Sequence, residues 1–251
     1  MRLTGILRYP VKGLAPESLS FAEMVPDRPL AGDRKFALTH SMSHYDPANP
    51  VWLKRSNFVV VALTPKLATI ASSYDDASGI ITIRDADGSE HHFNLANPVE
   101  VIRFAALIEA WGGALQPGPY GLAHIPGGNL ADRDTRSLSL HNTASHHAVS
   151  ASSGIDLSQR RWRGNLWCDG VEAWEEFSWI GREIGIGSVR FAVTERIERC
   201  AATSANTRSG VRDIDMPSHL FNTYGHRDFG VLCKVISGGR IEVNDPVRVL
   251  D

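Results

Sequence analysis

Short runs of β-branched and aromatic residues, each closed by Gly, Asp, Asn or Pro, recur along this sequence and limit it to a fold built largely of strands. Runs of this length and composition are typical of strands between tight turns. They lie at residues 3–12, 34–40, 57–64, 79–88, 90–95 and 187–200. Few segments have helical periodicity, so the sequence predicts a mainly β fold of the α+β class with barrel-like units, and not a parallel α/β sheet.

Two hairpins are predicted from their turn residues. Residues 85–88 are Asp-Ala-Asp-Gly, and both Asp and Gly accept the positive φ that hairpin turns need. Near the C-terminus, residues 231–250 form two apolar runs separated by Ser237, Gly238 and Gly239, which predicts a second hairpin.

Two helices are predicted between the strands. In the segment 97–113, Asn97 can cap the N-terminus and Pro98 suits the first helical position. A shorter helix is predicted within 141–155. Between them, the segment 115–136 is rich in Gly and Pro and is predicted to be a long connection at a boundary near residue 120.

The composition allows one large domain or two small ones and argues against two classes of function. The chain has 251 residues and an apolar fraction of 43%, which supports a real core. A net charge of -2 argues against a broad nucleic-acid surface. Arg8 and Pro10 interrupt the N-terminal segment before a signal-peptide core forms, and no run approaches the roughly 18 apolar residues of a membrane span. We therefore expect a cytoplasmic protein without a nucleic-acid or membrane partner.

The three cysteines, Cys168, Cys200 and Cys233, are too few and too widely spaced for a disulfide framework or a Cys-x-x-Cys metal site. The sequence also has no Gly-x-Ser-x-Gly elbow and no complete dinucleotide fingerprint. Cys168 lies beside a tryptophan and Cys233 lies in an apolar run, so both are predicted to pack in the core. Cys200 follows Arg199 in a polar segment, and it is either a buried thiol or a reactive sulfur.

Four cations stand beside turn-like or strand-ending segments. They are Lys12 in RYPVKGL, Arg34 in GDRKFAL, Arg163 in RRWRGN and Arg199 in IERCAAT. Taken singly, each is typical of a solvated surface charge. The overall composition does not exclude a local pocket of such cations for one anionic ligand.

Together these segments resemble the MOSC family, which is named after the C-terminal domain of molybdenum-cofactor sulfurases. Residues 9–14 (YPVKGL) and 32–38 (GDRKFAL) resemble elements of the N-terminal β-barrel found in longer members. Residues 161–170 (RWRGNLWCDG) resemble the Arg-x-Asn element of the MOSC domain. The segment 179–200 is similar to the strand pair that leads to the family's cysteine, and residues 229–230 and 237–250 are similar to its closing hairpin.

The resemblance implies an N-terminal β-barrel domain at 1–119 and a MOSC-type β-barrel domain with a few helices at 120–251. Two positions depart from the family pattern. Gly13 replaces a common serine, which removes one side-chain contact to the ligand, and Asn244 replaces a glycine in a turn. The chain is too short for a cysteine-desulfurase domain, so we expect no pyridoxal phosphate. It has no ferredoxin-type run of cysteines, so we expect no iron–sulfur site.

The ligand implied by the resemblance is the molybdenum cofactor, a polyanionic pterin with a dithiolene and a phosphate, which needs cations and amide donors. Cys200 is expected to ligate the metal and to be the catalytic residue, because thiolate is a soft ligand and neighbouring cations favour it. Asn165 offers a donor and an acceptor to the pterin edge. The expected cofactor-binding residues are Lys12, Arg34, Arg163, Asn165, Arg199 and Thr203.

Three functions remain open at this point. The length and layout resemble the amidoxime-reducing members, which implies a molybdenum-dependent oxidoreductase that reduces small N-hydroxylated compounds. Its electrons would come from a separate flavin or iron–sulfur reductase. Alternatively, Cys200 carries a persulfide supplied by a cysteine desulfurase, or the chain only binds and delivers the cofactor.

Overall fold

The computed structural model of the chain describes residues 1–84 and 87–250, and strands dominate them. The strands of these residues are, in chain order, β1 (Arg2–Arg8), β2 (Glu17–Leu19), β3 (Phe21–Met24), β4 (Phe36–Leu38), β5 (Ala71–Asp75), β6 (Ile80–Arg84), β7 (Glu90–Asn94), β8 (Leu122–His124), β9 (Leu138–Asn142), β10 (Leu166–Asp169), β11 (Glu183–Ile186), β12 (Val189–Glu198), β13 (Asp228–Ser237), β14 (Gly239–Glu242) and β15 (Val247–Leu250). The helices are α1 (Pro98–Gly112), α2 (Thr143–Ser153) and α3 (Met216–Tyr224), with short 3₁₀ turns between elements. The predicted mainly β, α+β class is confirmed.

The largest sheet joins the two ends of the chain. Its strand order is β15-β11-β12-β13-β9-β10-β1-β2, and within it β9 and β10 run parallel. The first strand pairs with β10 through Ile6 opposite Leu166, so the N-terminal segment completes a sheet that is otherwise built from the second half of the chain. The domain division between residues 119 and 120 stays a prediction. Strands β1 and β2 of the first part belong to the sheet that is formed mainly by the second part.

Three smaller sheets complete the strand pairing: β5-β6-β7, β4-β8 and β3-β14. Helix α1 covers the first of them, because Phe104, Ala105 and Ile108 on one helical face are buried and Phe104 contacts Phe93 edge-on at 5.5 Å. Asn97 caps this helix by accepting from Val99 N at 2.9 Å, as the sequence predicts. The hairpin of β6 and β7 is confirmed, while part of its predicted turn at 85–88 lies outside the described residues.

The predicted strand at 57–64 is wrong. Within this segment Phe58 makes an isolated bridge, and the chain then turns, because the amides of Leu63 and Thr64 both donate to the carbonyl of Val60 at 3.1 and 3.0 Å. Its valines are buried. Their β-branched pattern therefore reflects packing in the core and not strand pairing.

The predicted C-terminal hairpin within 231–250 is also wrong. Strand β13 ends at Ser237, but β14 pairs with β3, where Ile241 lies opposite Ala22. A Cβ added at Gly238 would lie 2.6 Å from the carbonyl oxygen of Met24, so glycine allows the chain to pass close to β3. The two glycines therefore redirect the chain to another sheet instead of folding it back on β13.

Several elements escape the sequence patterns, and two of them, β5 and α3, do so for different reasons. Strand β5 is rich in Ala and Ser, which are poor strand formers. Helix α3 carries ordinary end signals that sequence reasoning overlooked: Asp215 accepts from Ser218 N at 3.3 Å, Pro217 occupies the first turn, and Gly225 ends the helix with φ 77°. In the described parts of the chain, no helix combines the length and the apolar character needed to cross a bilayer.

The structure confirms the prediction that Cys168 and Cys233 pack in the core. Cys168 and Cys233 are 0% and 1% exposed in the core cluster of the large sheet. Burial raises the pKa of both thiols, that of Cys168 to about 12.

Cys233→Ser would place a hydroxyl without a hydrogen-bond partner in this apolar layer, so we expect it to lower the free energy of unfolding by about 1–3 kcal/mol. Urea denaturation checks this, and Cys233→Ala is the control that should cost less; equal stability of Cys233→Ser and the parent would contradict it.

Candidate functional site

A cavity of about 200 Å³ opens between the segments that follow β1, the connection before β9 and the turn after β12. The structure places all the candidate site residues from the sequence around this one cavity. They are Lys12, Arg34, Arg163, Asn165, Arg199, Cys200 and Thr203. Residues that lie as far as 191 positions apart in the numbering, Lys12 and Thr203, thus meet at one site.

Two of the cations have unusual backbones. The backbones of Arg34 and Arg163 adopt left-handed conformations with φ 47° and 55°, which residues other than glycine rarely adopt. Arg34 Nη2 donates to the carbonyl oxygen of Arg163 at 2.6 Å, and Arg163 Nη1 donates to the carbonyl oxygen of Leu14 at 3.1 Å. These bonds cross-link the segment after β1 to the segment before β10, and strain of this kind is typical of functional sites.

Two of the cations are neutralised by acids that sequence reasoning did not single out. Lys12 Nζ donates to Asp132 Oδ1 and to the carbonyl oxygen of Leu130, the latter at 2.8 Å. Arg34 Nη1 pairs with the buried Asp33 at 2.5 Å. Asp33 was already present in the GDRKFAL segment, whereas nothing local to the connection 115–136 marked Asp132.

The other two cations have no carboxylate partner among the described residues. Arg163 donates to a main-chain carbonyl and lies over the ring of Tyr9 at 4.8 Å. Arg199 Nε donates to the carbonyl oxygen of Phe229 at 2.9 Å, and its Nη1 donates to that of Trp162 at 2.9 Å. Burial lowers the pKa of Arg163, and it lowers the pKa of Arg199 to about 9, although the nearby charges of Asp132 and Asp228 act in the opposite direction. An anion in the cavity would supply the missing charge.

Tyr9 supports the cation cluster from behind. Its ring lies 4.3 Å from the guanidinium of Arg34 and 4.8 Å from that of Arg163. The phenol is fully buried, and in the described structure its oxygen has no hydrogen-bond partner. Burial raises the pKa of Tyr9, against the opposing effect of Arg163 and Arg34, so the ring is a neutral spacer between two like charges. Tyr9 lies in the YPVKGL segment, but the sequence alone did not indicate this role.

Cys200 is the accessible cysteine of the chain. It is half-buried and faces the cavity, whereas the other two cysteines are fully enclosed. The turn after it is closed by Thr203, whose N and Oγ1 donate to the carbonyl oxygen of Cys200 at 3.0 and 2.8 Å. Thr203 therefore shapes the loop that presents the thiol, and its contact with a cofactor stays a prediction.

Asn165 is largely occupied by the fold. Its Oδ1 accepts from Ser139 N and Ser139 Oγ at 3.2 Å each, and its Nδ2 donates to the carbonyl oxygen of Leu7 at 3.2 Å. The amide thus ties β9 to β1 beneath the cavity. One N–H of Nδ2 remains for a ligand, so the predicted pterin contact is narrower than the sequence implied, and it stays a prediction.

The departure at position 13 has a structural reason. Gly13 has φ 95°, and a Cβ built there would lie 3.0 Å from the carbonyl oxygen of Val59. A serine would be strained and crowded at this position. Asn244 likewise has φ 81°, a region that Asn tolerates better than most residues.

The wider lining is positively charged. Arg55 and Arg133 add two further cations to the four predicted ones, against the acids Asp33, Asp132 and Glu198. The rest of the lining mixes apolar residues, Ala202 and Leu232 among them, with polar ones such as Thr135 and Ser137. The cavity therefore combines a cationic surface, a free thiol and some apolar side chains, a combination that suits a polyanionic ligand with a soft metal or sulfur centre.

Comparison with known families divides the chain into two matches. The MOSC domain matches residues 124–248, and the MOSC N-terminal beta barrel domain matches residues 1–112. The two matches cover most of the chain and follow the order that the sequence predicts. Among curated proteins, none matches the chain.

Solved structures with a similar fold include the YUAD protein from Bacillus subtilis, which has a TM-score of 0.50 at 11% identity over 99% of this chain and 94% of that one. YiiM from Geobacillus stearothermophilus has a TM-score of 0.37 at 16% identity over 45% of this chain. The match spans about half of that YiiM chain, 54% of its length. YiiM from Escherichia coli has a TM-score of 0.33 at 18% identity, again over 45% of this chain and 54% of that one. At these identities the likeness concerns the fold alone.

Because Arg163 has no ion pair, we expect its removal to cost the protein little stability. In cofactor-free protein, Arg163→Met should lower the free energy of unfolding by no more than about 1 kcal/mol, because the loss of the hydrogen bond to Leu14 is offset by the removal of a guanidinium without an ion pair. The matched control is Arg161→Met. Arg161 is buried and makes a two-bond ion pair with Asp213 at 2.8 and 2.9 Å, so its loss should cost about 2–4 kcal/mol. Equal losses in urea denaturation would contradict the interpretation.

His146 predicts a loss of stability in acid. Burial lowers its pKa from 6.5 to about 4, and its Nδ1 accepts from Trp162 Nε1 at 3.0 Å, which requires the neutral ring. Between pH 6.5 and about 4 the unfolded chain therefore binds a proton that the folded chain does not, and the free energy of unfolding falls on acidification. His146→Asn keeps an acceptor without a titrating ring, so its urea midpoint should fall less over this window. An equal pH dependence would show that His146 is not responsible.

Proposed function

This chain belongs to the MOSC family, and we propose that it binds a molybdenum cofactor in the cavity around Cys200 and reduces N-hydroxylated compounds with electrons from a separate donor. The observation that carries the proposal is the pair of guanidiniums without a carboxylate partner in the described chain, Arg163 and Arg199, on the wall that also presents an accessible thiol. A charge that is partly removed from water is normally paired within the protein, so the lack of an ion pair for these two half-buried guanidiniums favours a ligand as the source of the compensating anion.

The side chains of the cavity have the chemical groups that this cofactor needs. Arg163 and Arg199 would hold its anionic groups, and Lys12 could join them where its ion pair with the exposed Asp132 yields to a phosphate. Cys200 offers the soft sulfur ligand that such a metal prefers. The hydrogen bonds of Arg34 to the carbonyl oxygen of Arg163 and of Arg163 to that of Leu14 hold the guanidiniums in place before a ligand arrives, so little ordering is needed on binding.

When bound, the cofactor supplies two-electron chemistry at a metal held by Cys200. Cleavage of the N–O bond of an N-hydroxylated compound consumes two electrons and two protons and releases the amine or amidine and water. The chain's own contribution is to bind the anionic cofactor, to hold the thiolate, and to offer apolar side chains such as Ala202 and Leu232 to the organic part of the substrate. The choice of N-hydroxylated compounds rests on the resemblance to amidoxime-reducing members, and the electrons require an external flavin or iron–sulfur reductase.

A second candidate is favoured by the accessibility of Cys200. A half-buried, accessible thiol beside an arginine without an ion pair could also hold a persulfide supplied by a cysteine desulfurase. Non-enzymatic cofactor delivery would use the same cavity. Metal, pterin and persulfide analysis of the protein purified from a cofactor-synthesising host separates the three functions. Molybdenum with reductase activity supports the oxidoreductase, molybdenum without activity supports delivery, and a persulfide without metal supports the carrier.

The decisive variant is Cys200→Ser. Serine offers a hard oxygen of high pKa, so we expect a folded protein whose reduction of an amidoxime, assayed with an artificial electron donor, falls by at least about a hundredfold. Cys233→Ala is the control, because its thiol is buried away from the cavity, and it should keep most of the activity. Retained activity in folded Cys200→Ser protein would falsify the role of this residue.

A further inference from the structure

A small side pocket adjoins the cavity of the candidate site. Its volume is about 10 Å³, which is the space of one water-sized group. It shares Val61, Arg163 and Ala202 with the cavity wall, whereas Arg199 and Cys200 do not line it. Neither the sequence motifs nor the proposed cofactor chemistry accounts for this space.

Arg161, which lines the side pocket, has a buried donor without an acceptor. Its side chain is 2% exposed. Nη1 donates to Asp213 Oδ1 and to the carbonyl oxygen of Thr203 at 2.8 and 3.2 Å, and Nη2 donates to Asp213 Oδ2 at 2.9 Å. Nε is buried and has no hydrogen-bond partner in the described residues. Native proteins rarely leave such a donor unpaired, so it points to a small group that the chain itself does not supply.

The geometry of the guanidinium gives this small group a place. In the planar guanidinium, Nε–H and the outer N–H of Nη2 point to the same side, while the ion pair with Asp213 uses the end formed by Nη1 and Nη2. The free edge of Arg161 can therefore hold one acceptor with a pair of parallel N–H groups. A single atom or ion suits both this arrangement and the small volume of the pocket.

The other polar side chains of the side pocket are also donors. Arg160 is exposed and makes no ion pair in the described chain, and the Thr207 hydroxyl has no hydrogen-bond partner there. No acid is among the lining residues that the structure describes, and the carboxylate of Asp213 is matched by Arg161. The charges of Arg160 and Arg163 therefore lie beside the pocket without a carboxylate partner. A water molecule would accept the N–H groups but leave this charge, so a monovalent anion fits better.

The side pocket lies where separate segments of the chain meet. Ala15 belongs to the segment between β1 and β2, Ala68 to the 3₁₀ turn before β5, and Thr207 to the loop after β12. These segments come from both family-matched parts of the chain, residues 1–112 and 124–248. An ion that binds only the folded chain would hold the segments together and raise the stability of the fold.

We propose that the side pocket binds a halide ion, chloride or bromide, on the free edge of Arg161, with the guanidinium of Arg160 and the hydroxyl of Thr207 as further donors. The volume excludes large anions, and the charge of the surrounding side chains favours an anion over water. The ion has a structural role and takes part in no electron or proton transfer. The site needs no cofactor in the neighbouring cavity, so it stands independently of the proposed function.

The first test is thermal unfolding of the full chain without cofactor while sodium gluconate is replaced by sodium chloride at constant ionic strength. Gluconate is too large for the side pocket, so chloride should raise the Tm of the parent by about 2–4 °C. Arg160→Gln removes one donor and its charge, and the chloride concentration that gives half of this effect should rise about tenfold. A parent Tm that does not respond to chloride would overturn the proposal.

The control is Arg248→Gln, which makes the same change of net charge at an exposed arginine on β15 that has no ion pair in the described chain. It should keep the chloride response of the parent. Thr207→Val removes the hydroxyl and keeps the shape of the side chain, so it should weaken the response severalfold. The same response in Arg160→Gln and in the parent would also overturn the proposal, because the ion would then bind elsewhere, for instance beside Arg199 in the cavity.

Anomalous scattering locates the ion directly. Crystals of the parent protein grown in sodium bromide and measured at the bromine absorption edge should show a peak within hydrogen-bond distance of Arg161 Nε. An ordered water molecule there without anomalous signal would overturn the proposal, and so would a bromide peak confined to the cavity. A peak in crystals of a protein whose Tm does not respond to chloride would show binding at crystal concentration only and would likewise overturn it.

Discussion

The candidate site is organised around two guanidiniums that have no ion pair within the described chain. Arg163 and Arg199 are held by main-chain carbonyls and aromatic faces, and in the described chain they have no acid to pair with. Their neighbours Lys12 and Arg34 do have acids, so the fold is able to pair cations at this site and does so selectively. The two unpaired charges favour an anionic ligand and cost stability in its absence.

The same contacts hold the chain together across its length. The carbonyl oxygen of Arg163 accepts from Arg34, and Arg163 in turn donates to Leu14, so the site joins the segment after β1 to the segment before β10. The pairing of β1 with β10 fixes these segments next to each other in the large sheet. A ligand bound in the cavity would therefore contact residues that join the two family-matched parts of the chain.

Much of this arrangement could be predicted from the sequence. The helix at 97–113, the strand class and the meeting of the cations with Cys200 follow from caps, alternation and motif resemblance. The segment 57–64 could not be predicted, because a buried turn and a strand share the same valine pattern. The pairing of β14 with β3 was also out of reach, because it depends on a contact between Gly238 and Met24 that lie far apart in the chain.

Within the site, the sequence indicated the residues that face the cavity and not those behind them. Asp132, Tyr9 and His141 contact Lys12, Arg34 and Arg199, and no local motif marks a side chain that packs behind another. Gly164 is the one such signal in retrospect, because a Cβ there would lie against the ring of His141. Its lack of a positive φ means that only a neighbouring side chain can account for the glycine.

The central claim is that Cys200 and the unpaired arginines form a site for a molybdenum cofactor. Molybdenum K-edge X-ray absorption of the protein purified from a cofactor-synthesising host tests it most directly, with Cys200→Ser protein measured alongside. The account predicts molybdenum with sulfur scatterers in the parent and one fewer sulfur in the variant. A protein without molybdenum, or an identical sulfur shell in parent and variant, would contradict it.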